Sequence, residues 1–170
     1  MRLHTPIHTP QAFERSDIRG RVRPYVVQAT LAILLIEQGI TNGIIVMAIA
    51  SSTATLFVVP HSIASTPRRV IGGHVVGVVV GLALWGGLQL LTGDASNASN
   101  THIDIFGAVA VGLSVLVMAT TNTEHPPAAG TAFGMIVFGL SITFIAFILS
   151  AAVILSIVRL LLRDRLQNLL

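Results

Sequence analysis

Charged side chains are scarce in this sequence: Asp, Glu, Lys and Arg make up 10% of its 170 residues, whereas hydrophobic residues make up 53%. A soluble domain of this length carries charges on about a quarter of its residues. Such a chain cannot cover a water-facing surface, so we expect the lipid bilayer to be its main solvent. Cysteine is absent, which excludes disulfides and thiolate metal ligands.

Lysine is also absent, and the ten basic residues are therefore all arginine. They form no basic patch interleaved with aromatic side chains, as binding of single-stranded nucleic acid requires, and we expect no nucleic-acid partner. No serine, histidine and acid stand in an order that predicts a hydrolytic triad. The spacing of a zinc-binding helix is missing as well. We therefore expect no enzyme activity, no metal site and no cofactor.

Long apolar runs fill most of the chain, and a helix needs about 20 apolar residues to cross a bilayer. The expected fold is an all-α polytopic membrane protein with four firm transmembrane helices and two short or re-entrant ones. The firm helices are predicted at 24–41, 70–91, 105–119 and in the second part of 128–162, and the short ones at 44–59 and 126–139.

The run at 128–162 is too long for one crossing, since it would measure about 52 Å as a single helix. Gly139 and Ser141 offer a break in it. Its start, "AAGTAFGMIV" at 128–137, resembles "ASSTATLFVV" at 50–59, which suggests two pseudo-repeat halves. Three membrane crossings in each half would make the two halves inverted repeats. Two crossings plus a re-entrant segment in each half would make them parallel repeats. Paired interrupted segments of this kind indicate a binding site in transporters.

Arginine placement predicts the orientation in the membrane. Arginines precede the first firm helix, precede the third span at 68–69 and follow the last apolar run, whereas the loop at 92–104 has none. The positive-inside rule then places both termini and the connection 61–69 in the cytoplasm. We expect a bacterial inner membrane.

The first twenty residues contain no apolar core of the kind that a secretory signal needs. Residues 1–23 are therefore expected to form a cytoplasmic tail. The transmembrane domain is predicted at 24–163, followed by a cytoplasmic end at 164–170.

Three short blocks carry a resemblance to a known family. They are "HPP" at 125–127 with the following "AAGT", "STPRRVIGGH" at 65–74, and, more loosely, "ASSTATLF" at 50–57. In this order and spacing they resemble the HPP family of small integral membrane proteins, over about 45–140 of the chain. That family is associated with nitrite transport in cyanobacteria and chloroplasts. The resemblance therefore implies membrane transport of a small anion, most simply nitrite.

The HPP block itself predicts an anion-facing helix start. Pro126 and Pro127 preset a helical φ where an amide would have no intrahelical partner. The amides of Ala128, Ala129 and Gly130 would then be unpaired, and with the helix dipole they would attract an anion. The plainer alternative is that Pro-Pro starts a helix at the membrane interface and the neighbouring threonines cap it.

Further neutral donors are expected to contact the substrate, because a site without fixed charge can bind a monovalent anion and still release it. An intramembrane histidine is costly and therefore suggests a function, and its ordinary pKa would allow proton coupling. For the hydroxyls, the alternative is a hydrogen bond to the carbonyl of the preceding helical turn. The additional candidates are His125, Thr131, Asn122, His74, Ser52 and Thr53.

Charged residues near these segments are candidates for gating or coupling. Glu124 would repel an anion unless it is paired, and we predict an ion pair with Arg68 or Arg69. Arg68 would otherwise steer anions to the cytoplasmic mouth. Glu37, near the outer end of the first firm helix, is either a coupling carboxylate or a solvated helix-end residue.

Three other functions stay open at this point. A membrane scaffold without transport would use the glycines at 73, 77 and 81, which share one helical face, to bind a partner helix. A haem or quinone protein would use His74 and His125 as facing ligands. The third alternative has the same anion-binding site. The protein would then be an uncoupled channel, or it would transport formate or bicarbonate in place of nitrite. The small size of the predicted bundle also leads us to expect a homo-oligomer.

Overall fold

The computed structural model describes residues 43–94, 98–166 and 168. In these ranges the chain forms five α-helices and two short 3₁₀ turns, and no strand. The first turn joins the first two helices, and the second leads directly into the fourth. The helices are α1 (Gly43–Val58), α2 (Pro67–Thr92), α3 (Asn100–Thr121), α4 (Ala129–Phe138) and α5 (Ile142–Leu162), and the 3₁₀ turns are Ile63–Ser65 and Pro126–Ala128.

The all-α architecture predicted from the sequence is confirmed for this part of the chain. Three of the described helices, α2, α3 and α5, are long and apolar enough to cross a bilayer, with 26, 22 and 21 residues. The other two, α1 and α4, are shorter apolar helices of 16 and 10 residues. The firm helix predicted at 24–41, the tail at 1–23 and the candidate Glu37 lie outside the described residues.

The long apolar run breaks between α4 and α5, where the sequence predicted a break. Gly139 has φ 61° and ψ −148°, a combination that is essentially restricted to glycine. A Cβ atom at this position would also lie 2.6 Å from the indole of Trp85. Ser141 then caps α5, because its hydroxyl oxygen accepts a hydrogen bond from the amide of Phe144.

Packing contacts show that α1 and α2 run in opposite directions. Leu56, near the end of α1, packs in one apolar cluster with Val70 at the start of α2. Ile49, earlier in α1, packs in another cluster with Val78, further along α2. The end of α5 returns to the same side of the bundle, because Arg159 donates a hydrogen bond to the carbonyl of Pro60 over 3.0 Å.

The glycine face of α2 packs against α4 and against the 3₁₀ turn Pro126–Ala128, which we call the HPP turn. A Cβ atom added to Gly73 would lie 3.2 Å from the Cβ of Ala128, and one added to Gly77 would lie 2.6 Å from the carbonyl oxygen of the same residue. One added to Gly81 would lie 2.7 Å from the carbonyl oxygen of Ala132. The two helices therefore run side by side in the same direction, and this face is used inside the chain. The scaffold hypothesis loses the surface on which it depended.

Candidate functional site

Four polar side chains are buried together in the interior of the bundle. They come from four different elements: α1, α2, the connection between α3 and the HPP turn, and α4. Each of them is 0% exposed, although the surrounding helices are strongly apolar. We call Ser52, His74, His125 and Thr131 the polar network.

Hydrogen bonds join the members of the polar network in a row. The hydroxyl oxygen of Ser52 lies 3.0 Å from Nε2 of His74 and 3.1 Å from Nε2 of His125. Nδ1 of His74 lies 2.8 Å from the hydroxyl oxygen of Thr131. Nδ1 of His125 lies 2.9 Å from the carbonyl oxygen of Ala64. The two ring centres are 5.5 Å apart, and all four ring nitrogens have a partner in the protein.

The close approach of the two histidines depends on glycine in α2. A Cβ atom on Gly73 would lie 2.8 Å from the Cβ of His125 and 3.1 Å from the carbonyl oxygen of Thr123. With glycine at this position, the segment before the HPP turn can lie directly against α2. His125 is thereby brought beside His74, the next residue of α2.

Burial also affects the protonation of the HPP histidine. His125 lies outside the spanning helices, in the connection that precedes α4. Burial lowers the pKa of its imidazole, and the hydrogen bond to the carbonyl of Ala64 raises it by less. Desolvation penalises the charged form of the ring, so the neutral ring is favoured at neutral pH.

The start of α4 is less open than the sequence predicted. The amide of Ala128 donates a hydrogen bond to the carbonyl of His125 over 2.9 Å, and the amide of Ala129 donates to the carbonyls of Pro126 and Pro127. The prediction that these two amides are unpaired was wrong, because the 3₁₀ turn closes bonds between residues three apart. Side chains, more than bare amides, therefore give this site its polar character.

A cavity of about 460 Å³ borders the HPP turn. Gly130 leaves room on its wall, since a Cβ atom there would come no closer than 3.7 Å to the Cβ of Ala48. Ala48 also belongs to the surroundings of the polar network, because its carbonyl oxygen lies 3.0 Å from the hydroxyl oxygen of Ser52 and can accept its hydrogen. The cavity and the network thus share one wall on α1. The lining consists of Met47, Ala48, Ser51, Val111, Pro126, Pro127, Gly130 and Phe133.

The charged candidates form a separate cluster at the edge of the bundle. Arg69 makes an ion pair with Glu124, as predicted, and also donates to the side-chain carbonyl of Asn122. The side chain of Glu124 is 44% exposed, so this pair contributes little to stability. Asn122 ends α3 in a left-handed conformation, and Arg68 is exposed. These contacts fasten the HPP segment to the start of α2.

One hydroxyl candidate and one arginine have hydrogen-bond partners outside the polar network. Thr53 is buried, but its hydroxyl donates to the carbonyl of Ile49 over 2.8 Å, which is the back-bonding alternative. Arg159, which the sequence analysis used only to orient the chain, is 6% exposed and bonds to Pro60. Its position one turn before the end of an apolar helix was a signal that it could be buried.

Three long apolar helices, two shorter apolar helices and a histidine–hydroxyl network in the interior define a polytopic α-helical membrane protein. The family model for the HPP transmembrane region matches residues 19–168, and the chain belongs to this family. A transmembrane protein of Dictyostelium discoideum is 33% identical over 89 residues, which make up 52% of this chain and 28% of that protein. The match thus covers little more than a quarter of the relative's length. No solved structure matches this chain.

Proposed function

We propose that the protein transports a small inorganic anion, with nitrite as the first candidate, and that protons drive this transport. The observation that carries the proposal is the polar network, in which two histidines and two hydroxyls lie at 0% exposure within an apolar bundle. Polar groups in a membrane interior are expensive and mark pathways for ions or substrates in many membrane proteins.

The position of the network supports the same proposal. Ser52 belongs to one short helix and Thr131 to the other, and short or interrupted helices surround the substrate sites of many transporters. The adjoining cavity is open and mostly apolar, and it is wide enough for a small anion beside Ser51 and Gly130. Nitrite as cargo rests on the HPP family, to which the chain belongs, and on the association of that family with nitrite transport. The proposed setting is a bacterial inner membrane, with both termini in the cytoplasm and a homo-oligomer as the assembled form.

The test is uptake by liposomes that contain the purified protein, with nitrite outside and an inward proton gradient. Wild type is expected to accumulate nitrite faster than empty liposomes, and His125→Ala is expected to lose this uptake. His102→Ala is the matched control, because that histidine bonds to Ser99 at the start of α3 and has no contact with the network. It should transport like wild type.

Two outcomes would contradict the proposal. One is the absence of uptake of nitrite, formate and bicarbonate by folded protein inserted in both orientations. The other is a His125→Ala variant that transports at the rate of wild type. If the rate of uptake is the same with and without the proton gradient, the protein is an uncoupled anion channel and the proposed proton coupling is wrong.

A further inference from the structure

The polar network has a direction that follows from the groups at its ends. Nδ1 of His125 faces the carbonyl of Ala64 at 2.9 Å, and a carbonyl can only accept a hydrogen bond. Nδ1 must therefore carry the hydrogen. In a neutral imidazole the other nitrogen then has none and accepts, so Nε2 of His125 accepts a hydrogen bond from Ser52 at 3.1 Å.

The same reasoning continues from Ser52 to the second histidine. A serine hydroxyl has one hydrogen, and in this state Ser52 donates it to His125. Nε2 of His74, at 3.0 Å from the same oxygen, must therefore donate. Nδ1 of His74 then accepts from the hydroxyl of Thr131 at 2.8 Å. The neutral network has one arrangement in which all four ring nitrogens are hydrogen-bonded, and in it every bond of the row points from Thr131 toward Ala64.

The carbonyl of Ala48 gives this arrangement a second state. It lies 3.0 Å from the hydroxyl oxygen of Ser52 and can take the hydroxyl hydrogen when His125 no longer accepts it. A proton from water that binds Nε2 of His125 turns this nitrogen into a donor. Ser52 then accepts from both rings through its two lone pairs and donates to Ala48. One proton can therefore be added while every member keeps a hydrogen-bond partner.

A proton on His74 has no equivalent arrangement. Nδ1 of that ring would become a donor to Thr131, whose hydroxyl hydrogen would then need another acceptor. Within the described residues Thr131 has no second side-chain hydrogen bond. Protons on both rings would place two positive charges 5.5 Å apart around a single serine, which like-charge repulsion opposes. The pair is thus suited to hold one proton, and to hold it on His125.

The surrounding elements add no formal charge to the two rings in the described part of the chain. The α1 and α4 helices and the turn containing Ala64 contain no titratable side chain. Glu124, the neighbour of His125, is paired with Arg69 from the start of α2. Arg159 of α5 is bonded to Pro60. Proton binding at this place therefore depends on the two histidines and Ser52.

We propose that the polar network is the proton-binding site of the transport cycle, and that it holds one proton on His125 while the hydroxyl of Ser52 turns from His125 to the carbonyl of Ala48. This proposal rests on the proposed function, because it names the groups that couple anion movement to protons. Ser52 acts here as a positioning residue. Its hydroxyl is hydrogen-bonded to both rings, so protonation of one ring changes the hydrogen bonding of the other.

The first test is independent of transport. The protein is labelled with ¹⁵N-histidine in lipid nanodiscs, its six histidines are assigned with single His→Gln variants, and the imidazole nitrogens are observed across the histidine pKa of about 6.5. At high pH we expect the hydrogen on Nδ1 of His125 and on Nε2 of His74. On acidification His125 should take up a proton well before His74. A hydrogen on Nε2 of His125 at high pH, or simultaneous titration of both rings, would overturn the proposal.

The second test measures coupling in liposomes, as the ratio of nitrite uptake with and without an inward proton gradient. Ser52→Ala should lose the stimulation by the gradient, and Ser52→Thr, which keeps the hydroxyl, should restore it. Thr53→Val is the matched control, because that neighbouring hydroxyl is buried but bonded only to the carbonyl of Ile49. Full stimulation in Ser52→Ala would refute the role of the serine.

The two tests separate failure of this proposal from failure of the proposed function. If wild type transports no anion while the ¹⁵N spectra show one shared proton, the transport function is wrong and the proton site stands. If wild type transports nitrite and the two histidines titrate together, transport stands and the proton site is wrong. Folding of each variant is checked by size-exclusion chromatography and thermal unfolding in detergent.

Discussion

His125 connects three parts of the bundle through a single ring. Nδ1 bonds to Ala64 in the turn before α2, and Nε2 bonds to Ser52 on α1. Removing the ring takes this partner from the carbonyl of Ala64, and a group left unsatisfied costs about 1–3 kcal/mol. Ser52 keeps its contacts with Ala48 and His74. The residue therefore contributes to stability as well as to the proposed transport, and uptake by its variants has to be normalised to folded protein.

At the same residue scale, the stability of the protein should depend on pH. The pKa of His125 is lowered by burial from its ordinary value of 6.5, so the unfolded chain takes up this proton first as the pH falls. The stability contributed by the neutral ring is complete above 6.5 and is lost as the pH falls from 6.5 toward the folded pKa. One such group changes the free energy of unfolding by at most about 1.4 kcal/mol per pH unit.

Thermal unfolding in detergent at a series of pH values checks this prediction. The midpoint of wild type is expected to fall below pH 6.5, and the midpoint of His125→Gln is expected to fall less steeply. The glutamine keeps a donor and an acceptor but cannot titrate. Equal slopes for the two proteins would show that His125 does not lose a proton on folding.

The sequence identified the members of the network as candidates but not their arrangement. Ser52 and Thr53 were equivalent candidates, because an apolar helix with hydroxyls in succession gives no contrast between its faces. Only packing of α1 against α2 turns Ser52 toward the rings. The ion pair of Glu124 with Arg69 was predictable, since both belong to the few charges expected on one side of the membrane.

At the scale of elements, the contact between α2 and α4 determines where the HPP turn can lie. Three glycines at intervals of four residues in α2 give α4 a surface without side chains. The periodicity predicted a close neighbour for this face. The periodicity does not identify which helix packs on this face, because Gly73 and Ala128 are far apart in the sequence and are in contact only in the folded bundle.

Gly77→Ala should therefore destabilise the protein, whereas Gly86→Ala on the same helix should not. A Cβ atom at Gly77 would lie 2.6 Å from the carbonyl oxygen of Ala128, while one at Gly86 has no neighbour within 4 Å. Over-packing of this kind costs about 1–3 kcal/mol, and replacing a helical glycine in open space gains up to about 1 kcal/mol.

Thermal unfolding in detergent distinguishes these two variants, and ¹⁵N-histidine spectra report the position of the HPP turn. In Gly77→Ala we expect a lower midpoint and altered signals of His125. Unchanged stability and spectra in Gly77→Ala would mean that α4 is not held against this face. A loss of stability in Gly86→Ala would indicate a contact of α2 outside the described residues.

At the scale of the whole molecule, the helices of the described part of the chain alternate in direction. α1 and α2 are antiparallel, α4 runs parallel to α2, and the end of α5 returns to Pro60 at the end of α1. The ten residues of α4 cover about 15 Å, which is half of the hydrocarbon thickness of about 30 Å. α4 is therefore too short to cross the bilayer by itself.

This alternation, together with the arginine distribution, predicts which loops face the cytoplasm, and the absence of cysteine makes the prediction simple to check. Single cysteines are introduced at three exposed positions. Thr101→Cys and Thr121→Cys lie at the two ends of α3, and Asp164→Cys lies just after α5. A membrane-impermeant maleimide should label the first in intact bacterial cells, and the other two only after the membrane is opened. Each substitution keeps all ten arginines, so the charge pattern that orients the chain is undisturbed.

The pattern of labelling separates the two arguments behind the prediction. Thr121 and Asp164 are expected on the same side, because Arg69 at the start of α2 bonds to Asn122 at the end of α3 and Arg159 near the end of α5 bonds to Pro60 before α2. Labelling of these two from opposite sides would contradict the contacts that place the ends of α3 and α5 beside the start of α2. Suppose instead that Thr121→Cys and Asp164→Cys are labelled in intact cells and Thr101→Cys is not. The relative directions of the helices would then stand, and the orientation of the protein in the membrane would be the reverse of the predicted one. In that case the HPP turn would open to the outside, and protons and anions would enter from the opposite side to the one that arginine placement predicts.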